Sequence, residues 1–157
     1  MAASIIKTIL VASALAVLIS TTGCGPGIPP VVDVSGIVTL DGDPLPHAKV
    51  QFFPLHEGLD GNYMASGVTD KEGKYSLTHK GQSVPGVTAC LCKITVSEGP
   101  MPPQIREMGQ AGAAKLKAFR KKLKNRPIPP SYGALGTTEL KFTISEENPV
   151  LNLELTR

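Results

Sequence analysis

The segment Val31–Pro54, VVDVSGIVTLDGDPLPHAKVQFFP, decides the fold. Its apolar residues alternate with polar ones on both sides of a short polar interruption, and this period of two is typical of half-buried β-strands. The interruption, Asp41-Gly42-Asp43-Pro44, consists of residues that favour turns. The segment therefore predicts two strands joined by a turn, as the opening hairpin of an antiparallel β-sandwich or barrel.

The composition fits a single domain of this kind. The chain has 157 residues, which is long enough for one domain with a core and short for two. It contains 16 glycines and 14 prolines, as expected for many turns and few long helices. Aromatic residues make up only 4% of the chain, so aliphatic residues must fill most of the core. The net charge of +3 is small and does not by itself imply binding to nucleic acid.

Residues 1–23 have the three-part layout of a secretory signal peptide. Lys7 gives a weakly positive start, an uncharged apolar run covers residues 8–20, and small residues follow. The apolar run is shorter than the roughly 20 residues with which a helix spans a bilayer. An uncleaved membrane anchor is therefore the second interpretation, and we expect export from the cytoplasm.

The end of this segment, Gly23-Cys24, resembles the lipobox of bacterial lipoproteins. The resemblance implies cleavage before Cys24, lipidation of its sulfur and a stable membrane anchor of palmitate-type acyl chains. Thr21 departs from the pattern, which usually has an aliphatic residue there. Residues 24–30, rich in Gly and Pro, would form a short tether. In lipoproteins of enterobacterial type, Gly25 would favour the outer over the inner membrane, with the domain in the periplasm or on the cell surface.

Three segments of the remaining chain carry a family resemblance. Residues 35–54, residues 67–75 (GVTDKEGKY) and residues 84–86 (VPG) resemble the carboxypeptidase regulatory-like domain. The second segment predicts a turn in which the Asp70 side chain caps backbone amides and Gly73 takes a positive φ. The resemblance implies an all-β fold over residues 31–157, namely a transthyretin-like (prealbumin-like) seven-stranded antiparallel β-sandwich. It implies no peptidase activity.

The pattern of Val87–Val96 predicts a core strand with Cys90 and Cys92 on one face. A Cys-x-Cys pair can bind a soft metal or form a disulfide. Neighbours on the same face of a strand are about 6.5 Å apart, which is near the outer limit for a disulfide. We expect two buried thiols, with a disulfide as the second interpretation.

Residues 104–126 interrupt the β-pattern and predict an inserted amphipathic helix over 104–123. Leu116, Phe119 and Leu123 form one narrow apolar stripe. The candidate partner-binding residues are the cations around it: Lys115, Lys117, Arg120, Lys121, Lys122 and Lys124, with Arg126 directly after. In one interpretation the stripe packs on the sandwich while the cations stay hydrated. In the other, the cations bind an anionic lipid surface, a polyanion or an acidic envelope protein. Nucleic-acid recognition has little support because no aromatic residues are interleaved with the cations.

The end of the chain predicts two more strands. Apolar residues alternate over 140–144 and again over 151–155, with a turn between. We expect a terminal hairpin that closes a sheet.

Three classes of function remain for this sequence. The first is a lipid-anchored, non-catalytic β-sandwich with a binding, assembly or structural role in the cell envelope. The second is a hydrolase of transthyretin-like type, which would need His47 and His79 to converge with a carboxylate. The third is a carbohydrate-binding module, which would need exposed aromatic residues, and Tyr75 is expected in the core.

We predict the first class. The chain contains no recognisable nucleophile or metalloprotease motif. The polar loop with His56, Glu57 and Asp60 matches no metal-ligand spacing and is expected to be a solvated loop. The prediction includes no catalytic residue, cofactor or metal.

Overall fold

The computed structural model describes residues 27–157. The predicted signal peptide, Cys24 and residues 25–26 of the tether lie outside the described residues. The described part is mostly β-structure, with eleven short strands and two short α-helices. The prediction of an all-β fold is confirmed at this level.

Two sheets build most of the domain. The larger has the strand order β10-β9-β4-β5-β7 and is antiparallel. Its strands are β4 (Ala48–Pro54), β5 (Ala65–Val68), β7 (Thr78–His79), β9 (Leu91–Glu98) and β10 (Lys141–Thr143). The second sheet is built on β2 (Ser35–Leu40), which pairs with β3 (Asp43–Pro44), β6 (Lys74–Ser76) and β11 (Leu153–Leu155). The β2–β11 pair is parallel. A short antiparallel ribbon joins β1 (Val31–Val32) and β8 (Val87–Thr88).

The hydrophobic core is formed by both sheets. The rings of Phe52 in β4 and Tyr75 in β6 lie 6.2 Å apart, which places side chains of the two sheets in contact. Tyr75 is buried, as predicted. The core is filled mainly by aliphatic residues, among them Val34, Val38, Leu40, Leu45, Val50, Leu77, Val87, Ile94, Val96, Leu153 and Leu155. The described residues thus contain a continuous core of their own, and the layout is compatible with a β-sandwich.

The predicted opening hairpin is wrong in its pairing. The chain turns at Asp41-Gly42 into β3, so that Leu40 lies in register with Asp43. Both turn residues have positive φ, 54° and 86°, as a tight Asp-Gly hairpin turn requires. Pro44 and Pro46 have no N–H to donate to a ladder, so the pairing ends there. The chain then crosses to the other sheet as β4.

The predicted terminal hairpin is also wrong. The strand β10 pairs with β9, whereas β11 pairs with β2 in the other sheet. The segment before β11 runs so close to β2 that a Cβ on Gly36 would lie 1.9 Å from the carbonyl oxygen of Leu151. The hydroxyl of Tyr75 donates to the same oxygen at 2.7 Å. Burial of Leu153 and Leu155 against β2 therefore outweighs a local hairpin.

The predicted turn at residues 70–73 is confirmed. The Asp70 Oδ1 atom accepts the backbone N–H groups of Glu72 at 2.9 Å and Lys74 at 2.8 Å. Gly73 has a φ of 76°. The long strand predicted over 87–96 is split by a bend into β8 and β9.

The inserted segment is not one helix. It forms α1 (Pro103–Arg106), a 3-10 turn (Gly109–Ala111) and α2 (Gly112–Lys122). Gly109 adopts a left-handed φ of 55°, which breaks the helix there. No helix in the described part of the chain is long and apolar enough to cross a membrane.

Candidate binding groove

The helix α2 is attached to the domain through one aromatic contact. The ring of Phe119 meets the ring of His47 edge-on, with centroids 5.1 Å apart. The His47 Nε2–H donates to the carbonyl oxygen of Pro100 at 2.9 Å, which fixes the imidazole. Leu116, Phe119 and Leu123 are all half-buried, so the apolar stripe faces the domain as predicted. A helix of 11 residues is marginal in water by itself, and α2 therefore depends on this packing.

Arg126 anchors the chain as it leaves α2. Its Nε–H donates to Glu98 Oε2 at 3.0 Å, and its Nη2 donates to the carbonyl oxygens of Pro46 at 2.6 Å and His47 at 3.3 Å. Its side chain is only 10% exposed. Although Arg126 directly follows the exposed cations in the sequence, it is a largely buried structural residue and not one of them.

Asn125 makes the second anchor. It has a positive φ of 60°, a conformation that Asn adopts more readily than most residues. Its Nδ2 donates to the carbonyl oxygens of Leu40 at 2.7 Å and Asp43 at 3.0 Å, and its Oδ1 accepts from Arg157 Nη2 at 2.8 Å. Arg157 also forms an ion pair with Asp41. Residues 123–127, the return segment, are thereby tied to both sheets.

An open groove with a volume of about 800 Å³ lies between α2 and the return segment. This volume falls within the range of about 300–1,000 Å³ that is usual for ligand pockets. The apolar part of its lining consists of Met101, Gly109, Ala113, Leu116, Leu123 and Pro127. The polar part consists of Glu98, Lys117, Arg120, Lys121, Asn125 and Arg126. The groove is therefore an apolar depression bordered by cations.

The structure divides the six predicted partner-binding cations into three sets. Lys117, Arg120 and Lys121 border the groove. Since successive residues of a helix are separated by about 100°, Lys115 and Lys122 lie on the opposite face of α2. Lys124 lines a different depression, with Asp43, Pro44, Pro46, Lys71 and Asn125.

The groove and the N-terminal segment lie at opposite ends of the large sheet. Pro30 and β1 lie beside β8, just before β9 begins at Leu91, because the Ala89 N–H donates to the Pro30 carbonyl at 2.8 Å. Glu98, at the other end of β9, lines the groove. The eight residues of β9 separate these ends by about 23 Å, at 3.3 Å per residue.

Cys90 and Cys92 are free thiols beside each other. Their Sγ atoms lie 3.9 Å apart. Cys92 is fully buried, as predicted, whereas Cys90 is only half-buried. Burial raises the pKa of both thiols, and for Cys92 the neighbouring Cys90 raises the pKa further. Both groups are therefore protonated near neutral pH.

The histidines do not form a common site. His79 lies in register with Ala65 and thus with Phe52, five residues along β4 from His47. At about 3.3 Å per residue, Phe52, which is level with His79, lies roughly 16 Å along the chain from His47. The buried His79 ring uses both nitrogens internally: Nδ1 accepts the Gln82 N–H at 3.2 Å, and Nε2 pairs with Thr88 Oγ1 at 3.2 Å.

The other predicted residues have local roles. In the polar loop, Asp60 Oδ1 accepts the Asn62 N–H at 2.8 Å and His56 Nδ1 pairs with the Glu57 carbonyl at 2.7 Å. Within residues 27–157, no group of three or more potential ligands could hold a metal ion. Tyr63 packs against His79 and Tyr132 bonds to the backbone of Thr156, so they do not share a surface platform.

The cations that border the groove are visible in the sequence, but the groove is not. Asn125 and Arg126 shape the groove, and in the sequence they look only like the end of a run of cations. Comparison of the chain with protein-family models, curated proteins and solved structures found no match.

Proposed function

We propose that this protein is a lipid-anchored, non-catalytic β-sandwich lipoprotein of the cell envelope that binds a partner through the groove beside α2. The anchor part of the proposal rests on the signal-peptide layout of residues 1–23 and the lipobox-like Gly23-Cys24. The binding part rests on the groove. The outer membrane is the favoured location.

The fold part of the proposal is a transthyretin-like sandwich of the carboxypeptidase regulatory-like type. It is supported by the three sequence segments quoted above, by the confirmed Asp70–Gly73 turn and by a core shared between two sheets. The structure has more and shorter strands than the seven of that topology, and β11 joins β2 in parallel. The features consistent with that topology are therefore the core packing and the Asp70–Gly73 turn. The strand pairing at the C-terminus differs from it.

The binding role is supported by one observation: cations without an ion-pair partner among the described residues border an apolar groove. Lys117, Arg120 and Lys121 form no ion pair among the described residues, although they lie within one turn of each other on α2. Like charges at this spacing destabilise a helix by a few tenths of a kcal/mol per pair, roughly 0.2–0.5. A bound anion would relieve this repulsion.

In this proposal the groove lies at the end of the large sheet that is remote from the tether. A tether of residues 24–30 spans at most about 25 Å when fully extended. That length is close to the separation of about 23 Å between the two ends of β9. The groove would therefore reach the anchoring bilayer only with the tether stretched along the domain. This arrangement favours a ligand or partner other than the surface of that bilayer.

The test of the proposed function is fractionation of cells that produce the full chain, with labelling by radioactive palmitate. We expect the wild-type chain in the membrane fraction and labelled, and Cys24→Ser unlabelled. Cys92→Ser is the matched control, which keeps label and location because Cys92 is buried in the core. Label that persists in Cys24→Ser would overturn the anchor.

A further inference from the structure

We propose that the groove binds a single-chain anionic amphiphile, with its acyl chain along the apolar lining and its carboxylate or phosphate head on Lys117, Arg120 and Lys121. This inference rests on the proposed function, because it specifies the ligand of the same groove.

The lining favours a flexible apolar chain. Met101 and Leu116 offer adaptable and aliphatic surface, and Pro127 and Ala113 add apolar area without a hydrogen-bonding side chain. None of the seven Phe and Tyr residues, all of which lie in the described part of the chain, lines the groove. A sugar or a base would lack the aromatic platform on which such rings usually stack.

The border favours an anionic head. Three cations stand on one edge at i, i+3 and i+4, so a carboxylate or phosphate at this edge can contact two of them at once. Arg120 is half-buried, which makes its charge less screened than that of the exposed Lys117 and Lys121. The shape is thus apolar at the floor and positive at one edge, which complements an amphiphile with one negative end.

The carboxylate of Glu98 does not oppose this assignment. Its Oε2 is paired with Arg126 Nε at 3.0 Å, so the groove keeps a net positive border. The pair also fixes the wall opposite α2, because Arg126 is bonded to the carbonyl oxygens of Pro46 and His47. The groove is therefore preformed, which lowers the entropic cost of binding.

The experiment uses the full chain in isolated membranes, where acyl transfer is not running. The probes are photoactivatable myristic acid, the corresponding alcohol with a neutral head, and a lysophosphatidic acid analogue with a phosphate head. After illumination, mass spectrometry locates the adducts on the chain. We expect adducts of the two anionic probes at Met101, Ala113, Leu116 and Leu123, and about tenfold fewer with the alcohol. The two anionic probes distinguish a fatty acid from a phosphate-headed lipid as the source of the ligand.

Two variants with the same change in net charge separate groove recognition from general attraction. Arg120→Glu with Lys121→Glu reverses the groove border, whereas Lys115→Glu with Lys122→Glu reverses the opposite face of the same helix. We expect at least about a tenfold loss of labelling in the first variant and wild-type labelling in the second. Thermal unfolding of both variants checks that they fold equally well.

Three results would overturn the inference. They are equal labelling by the acid and the alcohol, equal loss in the two charge variants, and displacement of the probe by polyglutamate, which carries charge without an acyl chain. If any of these is found while Cys24 is still lipidated, the ligand assignment fails and the anchor part of the proposed function remains.

Discussion

Arg126 and Glu98 form the ion pair that joins the inserted helical segment to the large sheet, with Arg126 Nε 3.0 Å from Glu98 Oε2. Because the guanidinium also donates to the carbonyl oxygens of Pro46 and His47, one side chain connects the end of β9, the start of β4 and the return segment. The wall of the groove opposite α2 is therefore fixed by this residue.

Replacement of Arg126 by Leu is therefore expected to lower the free energy of unfolding by about 3 kcal/mol, since it leaves the Glu98 carboxylate and the Pro46 carbonyl without their partner. Urea unfolding followed by circular dichroism measures the change. Arg106→Leu is the control, because Arg106 is exposed on α1. Equal midpoints for the two variants would show that the pair does not hold the fold.

Gly36→Ala tests the close approach of β2 and the segment before β11. A Cβ at this position would lie 1.9 Å from the carbonyl oxygen of Leu151, so the parallel strand must shift. We expect a loss of about 3 kcal/mol or failure to fold. Gly61→Ala has nothing within 4 Å of the new Cβ and should unfold like the wild type. A Gly36→Ala protein of wild-type stability would contradict the parallel β2–β11 pairing.

The hydroxyl of Thr69 is expected to be worth about 2 kcal/mol, because it is buried and used twice. It donates to the Leu45 carbonyl at 2.7 Å and accepts the Ala48 N–H at 2.8 Å. Thr69→Val keeps the shape and removes both bonds. The comparison is with Thr78→Val, at an exposed position of β7. The difference in urea midpoints between the two variants gives the measurement, and no difference would refute the buried bonds.

Because the thiol of Cys92 is buried, we expect the free energy of unfolding to fall at alkaline pH. Burial raises its pKa in the folded protein, so the unfolded chain loses this proton first, beginning near the ordinary thiol pKa of about 8.5. The contribution is complete below that pH and is lost as the pH rises toward the folded-state pKa. The urea midpoint should fall more between about pH 7 and about pH 9.5 in the wild type than in Cys92→Ala. Parallel pH profiles would contradict the burial of this thiol.

Patterns over a few neighbouring residues predicted the local structure, whereas strand pairing depends on residues that are distant in sequence and was predicted wrongly. The Asp70–Gly73 turn and the buried alternation of β2 and β4 follow from short-range rules, and the structure confirms them. In β9 the alternation is incomplete, because the consecutive residues Ile94, Thr95 and Val96 are all buried. The pairing of β2 with β11 was missed because it depends on a glycine that admits a distant carbonyl.

The candidate site shows the same division. The cations of α2 are visible in the sequence, but the groove is formed by Asn125 and Arg126, whose partners lie about 80 residues earlier in the chain. Neither a positive φ at Asn125 nor the bonds of the Arg126 guanidinium to residues distant in sequence give a periodic signal. The positive charge of α2 can therefore be predicted from the sequence, and the groove beside it cannot.

The central claim, that this is a lipid-anchored domain, is tested most directly by mass spectrometry of the N-terminal tryptic peptide of the chain purified from membranes. A lipid-anchored chain gives a peptide that begins at Cys24, ends at Lys49 and carries the added mass of a diacylglyceryl group on the cysteine. A peptide that begins elsewhere, or an unmodified Cys24 in membrane-purified protein, would contradict this claim.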